Sequence, residues 1–434
     1  MTSRTESEHK GRAQRGQMSR RDLAILAKRK FDPVQVLREA SRGRLVKLLP
    51  AKFKLMSGSP FVFYRGAVEI MAADLAAVKN TGIGVQLCGD AHVKNFGFYA
   101  TPGSDIILDV NDFDETWRGP WEWDVKRMAT SIVLAGRDAG DSNAKCKDAA
   151  QVFIQQYCEW MRRFAALTTL EVARHRITRD FRDPVIHAAL EKAERDTPAT
   201  SLQKLTKKTR NGRRFRPQQN VLWEVEGKTK SAVLSALKQY RQTLSPDHQF
   251  LLDRYRAVDV AFKVVGTGSV GTRDYVVLLL GYDENDALFL QIKEEPPSAY
   301  APYIKDPAAP AHQGERVVRG QRMLQVLSDL LLGWCSIDGA DYLVRQLNDH
   351  KSAVDPEELS GKRLVEYSRV CAELLAKGHA RSGDGVTLAA YLGRSSRAAD
   401  ALHRFALDYA DQVEADYNRF RKALKKGELQ FASN

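Results

Sequence analysis

The chain lacks several features that would assign it to common classes of protein. It has five cysteines, an odd number, and no C-x-x-C pair, which argues against a disulfide framework or a zinc site and indicates reduced thiols. No apolar run is long enough to span a bilayer, so we expect no membrane span. A twin-arginine pair, Arg20-Arg21, is followed by only a few apolar residues, and without a hydrophobic signal region we expect a cytoplasmic protein.

Acidic residues are missing from two basic segments that contribute much of the net charge of +13. Residues 1–30 are polar and basic, and we expect a flexible tail there. Lys204–Arg216 contains no acid, which is typical of a solvated loop or of a surface that attracts an anionic partner. Aromatic residues do not interleave with the basic ones, so the run does not predict a stacking platform for single-stranded nucleic acid.

Hydrophobic periodicity divides the 434 residues into regions of different character. Residues 140–250 have helical patterns around a basic loop at 203–222, and residues 251–350 have β-branched runs that predict a small antiparallel sheet. We therefore expect an α+β fold in five segments: a tail at 1–30, helical-lobe segments at 31–139 and 140–250, a sheet lobe at 251–350, and C-terminal helices at 351–434.

One stretch, Leu87–Glu115, carries the clearest chemical pattern. Asn95 follows Asp90 by five residues, and Asp112 comes after the apolar run Ile106–Leu108. In ATP-dependent phosphoryl transfer, an Asp that orients the acceptor hydroxyl is followed at this spacing by an Asn and an Asp that hold magnesium. Asp, Asn and Gly are also abundant in ordinary turns, so the stretch taken alone supports a turn equally well.

A second pattern is glycine-rich and lies between two predicted strands. Gly266, Gly268 and Gly271 form G-x-G-x-x-G, which in a dinucleotide fold would open a helix. A glycine-rich hairpin between strands instead suits coverage of nucleotide phosphates, and Lys293 at the end of the third strand could reach them. Lys293 could equally be an ordinary strand-edge lysine. Glu315 is a possible ion-pair partner for Lys293, with Gln321 as the alternative.

These motifs resemble the aminoglycoside phosphotransferase and choline kinase branch of the protein-kinase-like fold. Cys88–Asn95 is similar to its catalytic loop, with Cys88 in place of the leading His, Asn111–Phe113 to its metal strand, and Trp123–Ala129 to a third motif. The resemblance implies a bilobal fold in which Asp90 is the catalytic base and Asp124 braces the loop. Because the catalytic-loop motif precedes the glycine loop, the fold would be circularly permuted.

Over nearly its whole length the chain also resembles domain of unknown function 2252, a bacterial family to which no activity is attached. The segments that carry this resemblance are Phe63–Gly66, Gly89–Asn95, Pro120–Asp124, Gly266–Arg273, Lys293-Glu294 and His379–Asp384.

The sequence thus predicts an ATP- and magnesium-dependent phosphotransferase acting on an unknown hydroxyl-bearing acceptor. The predicted site consists of Asp90 and His92 as catalytic residues, Asn95, Asp112 and Asp114 at the metal, and Gly266, Gly268, Ser269, Gly271, Arg273, Lys293 and Glu315 at the nucleotide. The alternatives are a nucleotide-binding regulator without transfer, an AMP transferase, or a binder of anionic polymers. The phosphotransferase prediction requires Asp90, Asn95, Asp112, Lys293 and the Gly266–Gly271 loop to line one cleft, with the acids and the lysine converging within about 10 Å.

Overall fold

The computed structural model describes residues 2–103, 105–177, 184–210, 212–219, 221–264, 270–347 and 350–429, which form an α+β protein. The helices are α1 Arg4–Gln17, α2 Pro33–Ala40, α3 Leu49–Met56, α4 Pro60–Arg65, α5 Val68–Ala76, α6 Trp121–Asp138, α7 Asn143–Ala166, α8 Thr169–Arg174, α9 Pro184–Arg195, α10 Pro198–Leu205, α11 Gly227–Gln242, α12 Pro246–Leu252, α13 Gln313–Leu324, α14 Lys362–Ser382, α15 Gly385–Leu392 and α16 Arg397–Lys425. The strands are β1 Gly84–Leu87, β2 Phe96–Ala100, β3 Ile106–Val110, β4 Trp117–Pro120, β5 Thr206–Thr209, β6 Gly212–Phe215, β7 Leu222–Glu224, β8 Arg256–Lys263, β9 Asp274–Leu280, β10 Ala287–Glu294, β11 Gly333–Ile337, β12 Ala340–Gln346 and β13 Ser352–Ala353.

The largest sheet has six strands in the order β11-β12-β10-β9-β8-β7, with antiparallel pairing throughout. β9 is buried along its whole length, because it carries a continuous apolar run after Asp274. On the central strand β10, Lys293 is paired with Asp274 on one side and Leu343 on the other. This register fixes the position of the lysine backbone within the sheet.

Two smaller sheets position the segment that was singled out in the sequence. β1 pairs with β4, and β2 pairs with both β3 and β13. The loop 88–95 leaves the end of β1, and Asp112 follows the end of β3. Both segments are therefore anchored by strands at their N-terminal ends.

The helical body is built mainly from α6, α7, α14 and α16, which pack against one another. α6 is buried along almost all of its length, including charged residues such as Asp124 and Arg127. Buried charges are costly without partners, so each of these side chains needs a counter-charge or hydrogen bond inside the protein. No helix in the described part of the chain is both long and apolar enough to cross a membrane.

The N-terminal segment differs from the flexible tail that we expected. Residues Arg4–Gln17 form α1, which starts with a capping box between Ser3 and Glu6 and packs against α15. The Arg15 guanidinium donates to the backbone oxygen of Tyr391 over 2.9 Å. The basic residues of this segment therefore help to satisfy the carbonyl groups at the end of α15.

The hydrophobic periodicity of residues 140–250 predicted helices around a basic loop. In the described part of this region the structure also contains three strands. The basic run forms the hairpin β5–β6, and β7 joins the edge of the large sheet. The dipeptide Asn211-Gly212 is a known hairpin signal that could have indicated this, and Gly212 has a φ of +90°; Asn211 itself lies outside the described residues. Residues 117–120 form β4, although the Gly119-Pro120 dipeptide is typical of a turn.

Candidate functional site

The loop after β1 is fixed by a buried carboxylate on α6. Asp124 accepts hydrogen bonds from the backbone N–H groups of Cys88 (2.8 Å) and Gly89 (3.1 Å). His379 on α14 lies 3.3 Å from the same carboxylate and is itself bonded to Tyr157 at 2.7 Å. The expected brace between Asp124 and the loop is thus confirmed, and His379, whose role the sequence left open, supports it.

Gly89 allows the sharp turn that places Asp90 at the cleft. Its φ of +86° is unfavourable for other residues, and a Cβ atom there would lie 2.1 Å from the backbone oxygen of Glu115. The chain therefore passes closely against the segment 112–115 at this point.

Asp90 is held by two cationic or polar side chains. Arg127 Nε donates to its Oδ1 over 2.8 Å, and His92 Nε2 lies 3.3 Å from its Oδ2. Burial raises the pKa of Asp90, but Arg127 and His92 outweigh it, so the pKa lies well below its usual range. Burial also lowers the pKa of His92. Asp90 is consequently a carboxylate at neutral pH.

Asn95 ties this loop to the segment after β3. Its Nδ2 donates to the backbone oxygens of Asp90 and Asp112, each at 3.0 Å, and its Oδ1 accepts from the backbone N–H of Asp112 at 2.8 Å. One lone pair of Oδ1 remains, since a carbonyl oxygen has two. Asn95 therefore has a structural role that the sequence did not predict, while its oxygen keeps room for one ligand contact.

Asp112, Asp114 and Lys293 form the second half of the site. Lys293 Nζ lies 3.5 Å from Asp112 Oδ1 and forms a closer ion pair with Asp114. The pKa of Asp112 is lowered, because the charges of Lys293 and Arg345 outweigh the partial desolvation of its carboxylate in the cleft. The pKa of Asp114 is raised by burial and by the neighbouring Asp112. The nearby carboxylates together hold the pKa of Lys293 above its usual range despite burial.

Asp90, Asp112 and Asp114, but not Asp124 or Lys293, line one cavity of about 310 Å³ between the large sheet and the helical body. Its lining includes Asp90, His92, Asn95, Asp112 and Asp114 from the loops, Arg65 and Lys94 near Asp90, and Thr272, Glu294, Arg345 and Lys351 from the sheet side. A second cavity of about 230 Å³ shares the lining residues Asn111, Arg345 and Lys351 with the first.

The nucleotide-side predictions are met only in part. Lys293 is 3 % exposed and reaches the cleft through its ion pairs. Glu315 pairs with Arg319 and not with Lys293, because it lies one turn from Arg319 on α13. The alternative partner Gln321 donates to Gln325.

The glycine loop is largely outside the described residues. This applies to Gly266, Gly268 and Ser269, whereas Gly271 is described and accepts a hydrogen bond from the backbone N–H of Leu45 at 2.7 Å. Arg273 pairs with Glu294 at 2.9 Å, and through Glu294 it borders the cavity.

Sequence reasoning missed several cations of the site, among them Arg127, Arg345 and Lys351. Arg127 lies three residues after Asp124 on the same face of α6, a spacing that could have indicated a shared environment. Arg345 lies near the end of β12, and Lys351 directly precedes β13. No sequence pattern indicated that either residue belongs to the site. Burial and the charge of Arg345 lower the pKa of Lys351 to about 7.

The donor set suits a hard divalent cation. In the described part of the chain no three His, Cys, Asp or Glu side chains are grouped to hold a metal ion. Magnesium, however, usually takes one or two carboxylates and completes its shell with water and phosphate oxygens. Asp112 is 46 % exposed in the cleft, and Asp114 Oδ1 is buried without a hydrogen-bond partner, so both offer oxygen atoms.

The fold and site therefore define an α+β protein with a charged cleft in which two acidic loops meet a buried lysine of the sheet. Residues 44–423 match the model of a family described as uncharacterized protein conserved in bacteria (DUF2252), and the chain belongs to this family. No match was found among curated proteins or among solved structures.

Proposed function

We propose that the protein is an ATP- and magnesium-dependent phosphotransferase with a permuted kinase-like fold, acting on a hydroxyl group of a small acceptor. The observation that carries the proposal is that Lys293 pairs with Asp112 and Asp114, which line one cavity together with Asp90, although Lys293 follows Asp112 by 181 residues. Such convergence of phosphate-handling groups is not required by the packing of either segment alone.

The order of strands and helix around Lys293 in the large sheet supports this proposal. From β8 onward, Lys293 lies on the third strand and α13 follows it, as a lysine and a helix do in kinase-like sheets. β8 and β9 are adjacent antiparallel strands, and the glycine-rich segment connects them in sequence. The catalytic-loop segment comes first in this chain, which is the basis for proposing a permuted order.

In the proposed reaction, Lys293 would contact the nucleotide phosphates, while Asp112, Asp114 and Asn95 would hold magnesium. Bound magnesium would neutralise charge on the β- and γ-phosphates. Asp90 would orient the acceptor hydroxyl, whose oxygen forms the new bond to the γ-phosphorus as the bond to the leaving ADP oxygen breaks. The hydroxyl proton passes to Asp90 and then to solvent. A weakly basic carboxylate suffices because phosphoryl transfer has a loose transition state.

Turnover measurements with Asp90→Asn test the proposal. ADP formation from MgATP would be followed with a panel of hydroxyl-bearing acceptors, and the variant should lose about 10²- to 10⁴-fold in rate. Asp148→Asn, an exposed residue on α7, is the matched control. Equal turnover of wild type and Asp90→Asn would refute the assignment.

A nucleotide-binding regulator is the second candidate, because the Lys293 ammonium lies against both Asp112 and Asp114, where a metal would be held. Intact-mass measurement after incubation with MgATP separates the outcomes. A gain of phosphate on protein or acceptor supports phosphotransfer, a gain of AMP supports an AMP transferase, and saturable binding without either product supports the regulator.

A further inference from the structure

Arg65 is a cation in the cleft for which the described structure provides no counter-ion. It ends α4, and its guanidinium lies over the ring of Phe61, 5.5 Å from the centroid. Its Nε is buried without a hydrogen-bond partner, and in the described part of the chain no carboxylate forms an ion pair with it. Leaving a guanidinium partly buried and unpaired is costly, so its presence in the cavity lining requires an explanation.

Asp90 is the acid whose charge acts on Arg65, but it is already neutralised. Arg127 is fully buried and donates to Asp90 Oδ1. In the described part of the chain it forms no ion pair with another carboxylate. Arg65 is therefore a cation without an ion-pair partner in the described part of the chain, at the place where an acceptor hydroxyl would meet Asp90.

Two further nitrogen-bearing side chains, those of His92 and Lys94, lie in the cavity lining near Asp90. His92 Nδ1 is buried without a hydrogen-bond partner, and Lys94 lines the same cavity. Asp355 and Glu357 act on Lys94 from a distance, yet neither forms an ion pair with it in the described structure. Arg65 and the exposed Lys94 are thus cations near Asp90 that form no ion pair in the described part of the chain, whereas a neutral His92 that donates from Nε2 to Asp90 presents Nδ1 as an acceptor. They come from α4 and the loop 88–95, and not from the segments that carry Lys293 and Asp112.

We propose that the acceptor carries an anionic phosphate group that binds to Arg65 and Lys94 and thereby directs its hydroxyl to Asp90. This inference rests on the proposed phosphotransferase function and adds the chemical class of the substrate. Guanidinium groups bind phosphate and carboxylate through paired hydrogen bonds, which also fixes orientation. A cationic acceptor is disfavoured, because its charge would lie beside those of Arg65 and Lys94.

The test compares ligands that differ only in the anionic group. Binding of glycerol 3-phosphate, glycerol and choline to the full chain would be measured by calorimetry and thermal shift, with orthophosphate as a competitor. We expect glycerol 3-phosphate to bind at least about tenfold more tightly than glycerol, and choline not to bind. Arg65→Gln should weaken glycerol 3-phosphate about 10- to 100-fold, since a charge-assisted hydrogen bond is lost, and Arg65→Lys should weaken it less.

Two controls separate a ligand-binding role from a structural one. Arg163→Gln is matched, because Arg163 also stacks on an aromatic ring, that of Trp160, but lies on an exposed face of α7. It should leave binding unchanged. Arg65→Gln removes the contact with the Phe61 ring but no ion pair, so the melting temperature of the unliganded protein should fall only slightly, whereas loss of an arginine that holds a buried carboxylate would lower it strongly.

The outcomes for this inference and for the phosphotransferase proposal are distinguishable. The inference is overturned if glycerol 3-phosphate binds Arg65→Gln as tightly as wild type, or if neither phosphate compound binds wild type at about 10 mM. MgATP affinity should be unchanged in Arg65→Gln and weakened in Lys293→Met. If Lys293→Met retains full MgATP affinity while Arg65-dependent binding of glycerol 3-phosphate persists, the phosphotransferase proposal fails and the anion site remains.

Discussion

Lys293 on β10 places its ammonium 3.5 Å from Asp112 Oδ1, joining the large sheet to a loop that precedes it by 181 residues. The contact crosses the cleft between the sheet and the helical body, and it lies beside the cavity that Asp90 also lines. Charged side chains from two regions that are remote in sequence therefore act directly on one another. The residues that hold each region in place can be replaced by mutation.

The brace provided by Asp124 should be important for stability. Asp124→Asn removes the negative charge that accepts from Cys88 N–H and Gly89 N–H and contacts His379, and it places an amide donor near backbone donors. We expect a loss of about 2–3 kcal/mol in the free energy of unfolding, measured by urea denaturation. The control Asp148→Asn, on the exposed face of α7, should change the free energy of unfolding little. An equally small change for Asp124→Asn would show that Asp124 does not stabilise the loop after β1.

The turn at Gly89 should tolerate no side chain. Gly89→Ala would place a Cβ atom 2.1 Å from Glu115 O at a φ of +86°, so the backbone must shift. We expect a destabilisation of at least about 2 kcal/mol, or failure to fold. Gly16→Ala is the control, because nothing lies within 4 Å of its added Cβ in α1, and it should leave the melting temperature unchanged or raise it. A soluble Gly89→Ala protein of full stability would show that the loop adopts another conformation.

Lys377 and Asp109 form a buried ion pair between α14 and β3, with both side chains almost fully shielded from water. Lys377→Met leaves Asp109 buried without its counter-charge and should cost about 3–5 kcal/mol of unfolding free energy. The double variant Lys377→Met, Asp109→Asn should recover part of that loss. Additive destabilisation in the double-mutant cycle would show that the two groups do not stabilise each other.

Asp274 should make stability depend on pH. Burial raises its pKa to about 7, although Lys293 and Gln291 oppose this. Between about pH 4 and 7 the folded state holds a proton that the unfolded state releases, so the stabilisation it gives is present at low pH and lost as the pH rises through about 7.

Asp274→Asn removes the charge whose burial is unfavourable above pH 7. We expect the variant to gain up to about 4 kcal/mol relative to wild type at pH 8 and to gain little near pH 4. Chemical denaturation at several pH values measures the difference between variant and wild type, which cancels the other titrating groups. A difference that is independent of pH would disprove the raised pKa.

Local patterns predicted the elements of the site better than its long-range partners. The apolar run Ile106–Leu108 lies in β3 directly before the acids, and the β-branched runs within 251–350 form strands of the large antiparallel sheet, because periodicity is a local signal. The predicted ion pair between Glu315 and Lys293 was wrong, because Glu315 pairs with Arg319. Ion pairs between distant segments depend on strand register and helix rotation, which local sequence patterns do not reveal.

Segments with polar or charged composition were the least predictable. α1 has few apolar residues, and its packing on α15 relies on arginine contacts with backbone oxygens. The hairpin β5–β6 consists largely of basic residues, which mask the strand pattern. Lys208 in this hairpin pairs with Glu284, and whether the remaining charge binds an anionic partner stays a prediction.

The most direct test of a single nucleotide site is magnesium-dependent ATP binding by isothermal titration calorimetry. Wild type should bind ATP more tightly with magnesium than without it. Asp112→Asn should lose most of this magnesium dependence, and Lys293→Met should weaken binding about 10- to 100-fold, whereas the exposed control Lys54→Met should match wild type. ATP affinity that is the same with and without magnesium, or unchanged in both Asp112→Asn and Lys293→Met, would contradict the account.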